Sequence, residues 1–356
     1  MKIAIKEQVF HFRQPAVTSR GVYTERRSWL LTASDGEAVG HGECAPLPDL
    51  SCDAMPENIY DKVLRGFCDQ VEQTGEIPYE QMRDYPSMLF GLETAMLELR
   101  GERRAESGGC PLLFDTPFAR GEVGIPINGL VWMGSYEEML QRLEEKLEQG
   151  FHCVKLKVGA IDFNRELDLV KRIRERFSHR VVELRLDANG GFRPDEALYK
   201  LELLSQYAVH SIEQPVKAKQ WALMAELCRD APLPIALDEE LIGINTLEAK
   251  RQMLRIIKPA YIVLKPSLHG GMMGCREWIE IAREEGIGSW ITSALESNIG
   301  LNAIAQFCSS VYGASPNPSK GAEIMPQGLG TGQLFTDNIP MPLQIRGEQL
   351  WISKNS

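Results

Sequence analysis

Five short segments decide the fold: HCVKLKV (152–158), VVELRLD (181–187), AVHSIEQP (208–215), LPIALDE (233–239) and AYIVLKP (260–266). Each is largely apolar, about one strand long, and carries charge at its far end. Lys155 and Lys157 stand near the end of the first, and Asp187, Glu213, Asp238 and Lys265 mark the ends of the others. Amphipathic stretches of helical period separate them, so each interval between charges holds one strand and one helix. Side chains two apart on a strand share a face. Lys155 and Lys157 therefore point together, as do Arg185 with Asp187 and Ala236 with Asp238. Val154, Leu156, Val158, Leu184, Leu186, Ile235 and Leu237 turn the other way, toward the helices.

The same rhythm extends outward. IPINGLVW (125–132) precedes these five segments and GSWITSALE (288–296) follows them, making seven βα units that close more naturally into a barrel than an open sheet. Ser135 and Glu138 form a capping box that opens a helix running to Gly150. Further helices are predicted over 162–177, from Pro194, after Asn245 as a cap, and over 272–285. The amino-terminal part reads differently. Residues 1–13 and 28–42 are predicted as strands, 47–51 as a Pro-punctuated loop and 87–100 as a helix buried on much of its surface. The expected organisation is an α+β capping domain over 1–120, completed by the C-terminal segment 325–356, and a barrel over 121–324. QIRGEQLWI (344–352) is the predicted last strand, returning to the first lobe.

A net charge of −10 over 356 residues disfavours non-specific nucleic-acid binding, which wants a basic surface. No stretch has the roughly 18 apolar residues of a membrane span, and the first residues lack the pattern of a signal peptide. The expected location is cytoplasmic, with no membrane partner. The eight cysteines are scattered and form no C-x-x-C pair, so they read as reduced thiols, neither a zinc site nor a redox pair.

A lone acid ending a strand is ordinarily a turn former, and a lone lysine there reaches for solvent. Three acids and three lysines at one barrel mouth are another matter. Asp187, Glu213 and Asp238 converging there repel one another, and a cation resolves the conflict. Three hard oxygen ligands without Cys or His select Mg²⁺ or Mn²⁺. Asn189 and Glu239 flank the ligands as supporting groups. Lys157 and Lys265 come from strands on either side of the acids, placed to face each other across a bound substrate. Lys155 supplies a like charge that lowers its neighbour's pKa and lets an amine act as a base near neutrality.

These residues resemble the pattern of the enolase superfamily, muconate-lactonizing-enzyme subgroup. The match covers K-x-K at 155–157, D-x-N at 187–189, IEQP around Glu213, DE at 238–239 and LKP at 264–266; Glu240 stands where the family has Ser. The resemblance implies an enolase-like (β/α)7β barrel under an α+β cap, with Mg²⁺ on Asp187, Glu213 and Asp238. PINGLVW (126–132), GECAPLP (42–48), SALESNIGL (293–301) and GLGTG (328–332) point within the subgroup to a carbon-oxygen lyase. That branch performs the syn dehydration of 2-succinyl-6-hydroxy-2,4-cyclohexadiene-1-carboxylate in menaquinone biosynthesis. Lys157 would then abstract the α-proton, the metal would stabilise the enediolate, and Lys265 would remain an ammonium on the opposite face. Ser293, Glu296 and Ser297 are candidate contacts for a dianionic small-molecule substrate, with a strand end and helix cap as the plain alternative. Residues 18–22 and 46–51 match places where family caps close. The rival reading is a dipeptide epimerase or N-acylamino-acid racemase using the same two lysines. Dipeptide epimerases carry an Asp-x-Asp after the last barrel strand, which GAEIMPQGLG (321–330) lacks.

Overall fold

The computed structural model describes residues 1–18, 21–101, 111–313 and 324–353. The chain opens with an antiparallel sheet of β1 (Lys2–Thr18), β2 (Gly21–Asp35) and β3 (Ala38–Cys44), in that order. The strand predicted over 28–42 is thus the end of β2, a turn and most of β3. Asp35 pairs with Ala38 across a two-residue loop whose first residue, Gly36, has φ 62°. Glycine reaches that angle without strain, so the chain reverses there.

Helices α1 (Glu57–Thr74) and α2 (Pro86–Arg100) cover one face of this sheet. α2 is buried on nearly all sides, as its small residues suggest. A Cβ at Gly42 would lie 2.0 Å from the Gly91 carbonyl oxygen, so glycine here lets helix and strand backbones meet.

After β4 (Ile125–Pro126), the repeating units begin. They run β5 (Gly129–Val131), α3 (Tyr136–Glu148), β6 (Cys153–Lys157), α4 (Phe163–Arg176), β7 (Glu183–Asp187), α5 (Ala197–Ser205), β8 (Ser211–Glu213), α6 (Trp221–Asp230), β9 (Ile235–Leu237), α7 (Leu247–Ile257), β10 (Tyr261–Leu264), α8 (Gly271–Glu284), β11 (Gly288–Ile291) and α9 (Asn298–Tyr312). β5 to β11 form one parallel sheet of seven strands in sequence order. Residues 327–328 close the seam as an eighth piece. Gln327 N donates to Pro126 O at 2.8 Å and Gly328 N to Ile291 O at 2.9 Å. The result is a (β/α)7β barrel. Two apolar layers follow the alternation: Val154, Leu156, Leu184, Leu186, Ile235 and Leu237 join the helices in the main core, while Ala236, Val263 and Trp290 cluster inside.

Local signals set most helix ends. Ser135 and Glu138 form the capping box, at 3.3 and 2.8 Å, and Gly150 follows the helix at φ 84°. Asp162 caps α4. α5 begins at Ala197, after a turn that contains Pro194. Asn245 is not the cap of α7. Thr246 accepts from Ala249 N at 3.3 Å, and Asn245 instead donates to Asp84 of the cap at 2.7 Å.

The segment 344–352 is a hairpin, β12 (Leu343–Arg346) and β13 (Gln349–Ile352), turning at Gly347 with φ 59°. β13 pairs with β4 at the start of the barrel, so 344–352 does not return to the first lobe as predicted; residues 334–336 do, along β1, through Arg13 N to Leu334 O and Thr336 N to His11 O, both 2.8 Å. No described helix is long and apolar enough to cross a membrane. The described cysteines are all free; Cys110 lies outside the described residues.

Two buried glutamates join the lobes. Glu43, at the end of β3, accepts from Ser297 N at 3.0 Å and Gly300 N at 3.0 Å where α9 begins. Glu93, on α2, accepts from Met272 N and Met273 N at 2.5 and 2.9 Å where α8 begins. Both oppose the positive end of a helix dipole. Burial pushes the Glu93 carboxyl up to about 8 despite those donors. Its proton is therefore held more tightly in the folded chain. The stability this adds is complete below the unfolded value near 4.5 and is lost as pH rises to about 8. Thermal melts from about pH 5 to about pH 8.5 should show a falling melting temperature, and Glu93→Gln should flatten that fall. An equally steep fall in the variant would remove Glu93 as its source.

Candidate active site

The parallel register places the charged residues. Lys157 pairs with Asp187 and Asp187 with Glu213, so three neighbouring strand ends stand at one height. Asp238 and Lys265 follow immediately after β9 and β10. The carboxylates of Asp187, Glu213 and Asp238 are fully buried, with oxygens within 4.8 Å of one another.

Lysines interleave them. Lys155 Nζ lies 2.8 Å from Asp187 and also bonds Glu213. Lys157 Nζ donates to Asp187 and to Asn189 Oδ1, both at 2.7 Å. Lys265 Nζ donates to both oxygens of Asp238, at 2.7 and 2.5 Å. Asn189 in turn donates to Glu239 at 3.0 Å. Asn189 sits at φ 44°, a left-handed conformation that Asn tolerates better than most residues.

The balance of forces differs from acid to acid. Burial opposes ionisation of Asp187, but Lys155 and Lys157 hold it far below the usual carboxylate range; burial likewise opposes ionisation of Asp238, and Lys265 outweighs it and lowers that carboxyl. Glu213 is pushed up to about 7 by burial, aided by Asp187 and Asp238 and opposed by Lys155. Lys155, though buried, is raised by Asp187 and Glu213. Its ammonium thus stands between two acids, beside the lysine for which the sequence reading made it a like charge.

The donor set suits a divalent metal. Three hard carboxylates converge, and Glu213 Oε1 is buried with no hydrogen-bond partner, a lone pair a hard cation would satisfy.

Lys155, Lys157, Asp187, Asn189, Glu239, Lys265 and Ser293 line one cavity of about 370 Å³. Tyr23, Leu47, Leu50 and Trp132 make its apolar wall, so the loop over 46–51 does reach the site. Of the segment 18–22, residues 19–20 lie outside the described residues. Glu296 and Ser297 are fully buried and do not line the cavity. Glu296 accepts from Ser293 Oγ at 2.6 Å, from Ala294 N at 2.7 Å and from Ser267 Oγ. Ser297 caps α9 and donates to Glu43 at 2.6 Å. The plain alternative holds for these two, and only Ser293 of the three meets the cavity.

Sequence reasoning missed the braces. Gln214 Oε1 accepts from Asp238 N at 3.3 Å and Glu240 N at 3.1 Å, while its Nε2 donates to Glu240 at 3.0 Å. The glutamate standing where the subgroup has Ser thus helps join the residues that follow β8 and β9. Arg26, buried in β2, donates to the carbonyls of Ala45, Pro46 and Leu295. Its position in an alternating strand gave no hint of that.

Residues 138–347 match the family described as enolase C-terminal domain-like, and residues 8–99 match the MenC N-terminal domain. An o-succinylbenzoate synthase from Desulfotalea psychrophila is 42% identical, with 99% of each chain covered. The crystal structure of MenC from that organism aligns at 39% identity with a TM-score of 0.79, covering 99% of each chain. An L-Ala-D/L-Glu epimerase from Bacillus subtilis is 28% identical over 82% of this chain and 79% of its own.

Proposed function

The chain belongs to the enolase superfamily, in its o-succinylbenzoate synthase branch, and from that premise we propose that it dehydrates 2-succinyl-6-hydroxy-2,4-cyclohexadiene-1-carboxylate to o-succinylbenzoate. The observation that carries the reading is one cavity in which Lys157 and Lys265, from non-neighbouring strands, flank a buried acid triad. The barrel, with its seam closed by residues 327–328, supplies the chemistry, and the cap, joined by residues 334–336 along β1, encloses the substrate.

Lys157 Nζ takes the proton from the ring carbon that bears the carboxylate. The carbon-oxygen bond at the neighbouring ring position then breaks. Lys157 returns the proton to the departing hydroxyl, which leaves as water from the same face, and the ring becomes aromatic. Asp187, Glu213 and Asp238 would hold Mg²⁺, which, when bound, offsets the negative charge that develops on the substrate carboxylate. Lys265, raised by Asp238 against its burial, stays an ammonium and adds positive charge on the opposite face. Asp187 and Asn189 orient Lys157. Ser293, Leu47 and Leu50 contact the rest of the dianionic substrate.

A second reading has specific support in the epimerase relative: the same lysines would serve as two bases on a dipeptide. The two reactions separate in one experiment. The diene substrate should give rising aromatic absorbance, and L-Ala-L-Glu in D2O should take up no deuterium at its α-carbons. Rapid deuterium uptake with no aromatic product would replace the lyase by the epimerase.

A further inference from the structure

The backbone polar groups of Lys265 find their partners outside the barrel sheet. β10 ends at Leu264, whose carbonyl still accepts from Thr292 N at 2.9 Å. Pro266 follows, which biases Lys265 to an extended conformation and prevents the strand ladder from continuing. A buried amide without an acceptor costs free energy comparable to a lost hydrogen bond. The amide of Lys265 meets that need four residues on: it donates to His269 Nδ1 at 2.9 Å. The Lys265 carbonyl accepts from Leu268 N and His269 N, at 2.8 and 2.9 Å. One turn therefore fixes both backbone polar groups of this lysine, and an imidazole closes it.

The ring is suited to that task. His269 is 2% exposed and burial drives it down to about 3, so it stays neutral and keeps a lone pair on Nδ1. Because Nδ1 accepts, the proton resides on Nε2. His269 does not line the cavity.

We propose that His269 is a positioning residue for the dehydration: by accepting the Lys265 amide, it fixes the direction in which that ammonium enters the site. The inference rests on the lyase reading for its kinetic test, but the hydrogen bond can be tested alone. In Asn, Oδ1 occupies the place of His Nδ1, one bond beyond Cγ, so His269→Asn can restore the acceptor. His269→Leu cannot. His269→Gln carries its acceptor one bond too far and serves as a second non-accepting variant should leucine prevent folding.

Amide hydrogen exchange at Lys265 should be slow in the wild type and in His269→Asn, and fast in the other two. With the diene substrate, His269→Leu or His269→Gln should lower kcat roughly 10- to 100-fold with KM within about twofold, and His269→Asn should recover most of the loss. In a Lys265→Ala background the non-accepting substitution should cost nothing more, because the side chain it positions is gone. Equal losses in His269→Asn and His269→Leu, or the same further loss without Lys265, would overturn the proposal. Absence of aromatic product from the wild type would instead sink the lyase reading, leaving the exchange result to decide the brace.

Discussion

Lys157→Ala should lower dehydration by about 10³-fold or more while the protein stays folded. The residue would move the proton both ways, and no other amine can take its place. Lys155 is held between Asp187 and Glu213, and Lys265 is held by both oxygens of Asp238. Removing Lys157 leaves Asp187 still paired with Lys155 at 2.8 Å, so no acid is left buried without a cation. The melting temperature should change little. Lys157→Arg should be almost as inactive, since a guanidinium restores charge without a base. Lys265 behaves differently. Its role is a lasting positive charge, so Lys265→Arg should keep more activity than Lys157→Arg. Lys265→Ala removes the ammonium bonded to a fully buried Asp238 and should both slow turnover to a small measurable remainder and destabilise, the latter by about 3 kcal/mol. Turnover in Lys157→Ala close to that of the wild type would discard the proton-transfer role.

The barrel was legible because two periods write it into the chain. The alternation in VVELRLD and LPIALDE separates core-facing from mouth-facing residues, and the register then stacks Lys157, Asp187 and Glu213 without further information. What stayed hidden depends on partners far along the chain. Asn245 and Thr246 are both good caps by residue type; Asp84, on the cap, claims the first and leaves the helix to the second. Glu296 and Ser297 stand near the mouth in sequence, yet their bonds with Ser267 and Glu43 keep them buried and off the cavity wall. The turn at Gly36 was missed because alternating side chains continue on both sides of a loop only two residues long. The C-terminal hairpin reads as one strand until Gly347 is seen at positive φ.

Chelation by EDTA should stop product formation, and added Mg²⁺ should restore it. The argument begins with electrostatics. Three buried carboxylates lie within 4.8 Å of one another, and their mutual repulsion is offset in the free protein by Lys155 and Lys265. Once a substrate carboxylate enters the same cavity, another negative charge joins them, and its charge grows as the proton leaves. Those two ammonium groups are already committed to the acids, so an added divalent charge would let that substrate bind and react. Glu213 is the ligand to test, because its Oε1 has no protein partner to compensate for its loss. Glu213→Gln keeps the shape, lowers the negative charge around Lys155 and should leave the fold intact. It should weaken Mg²⁺ binding, read directly by titration calorimetry, and reduce turnover by about 10³-fold at fixed Mg²⁺. Undiminished product after thorough chelation, or Mg²⁺ binding as tight in Glu213→Gln as in the wild type, would show that these three acids serve the fold and not the reaction.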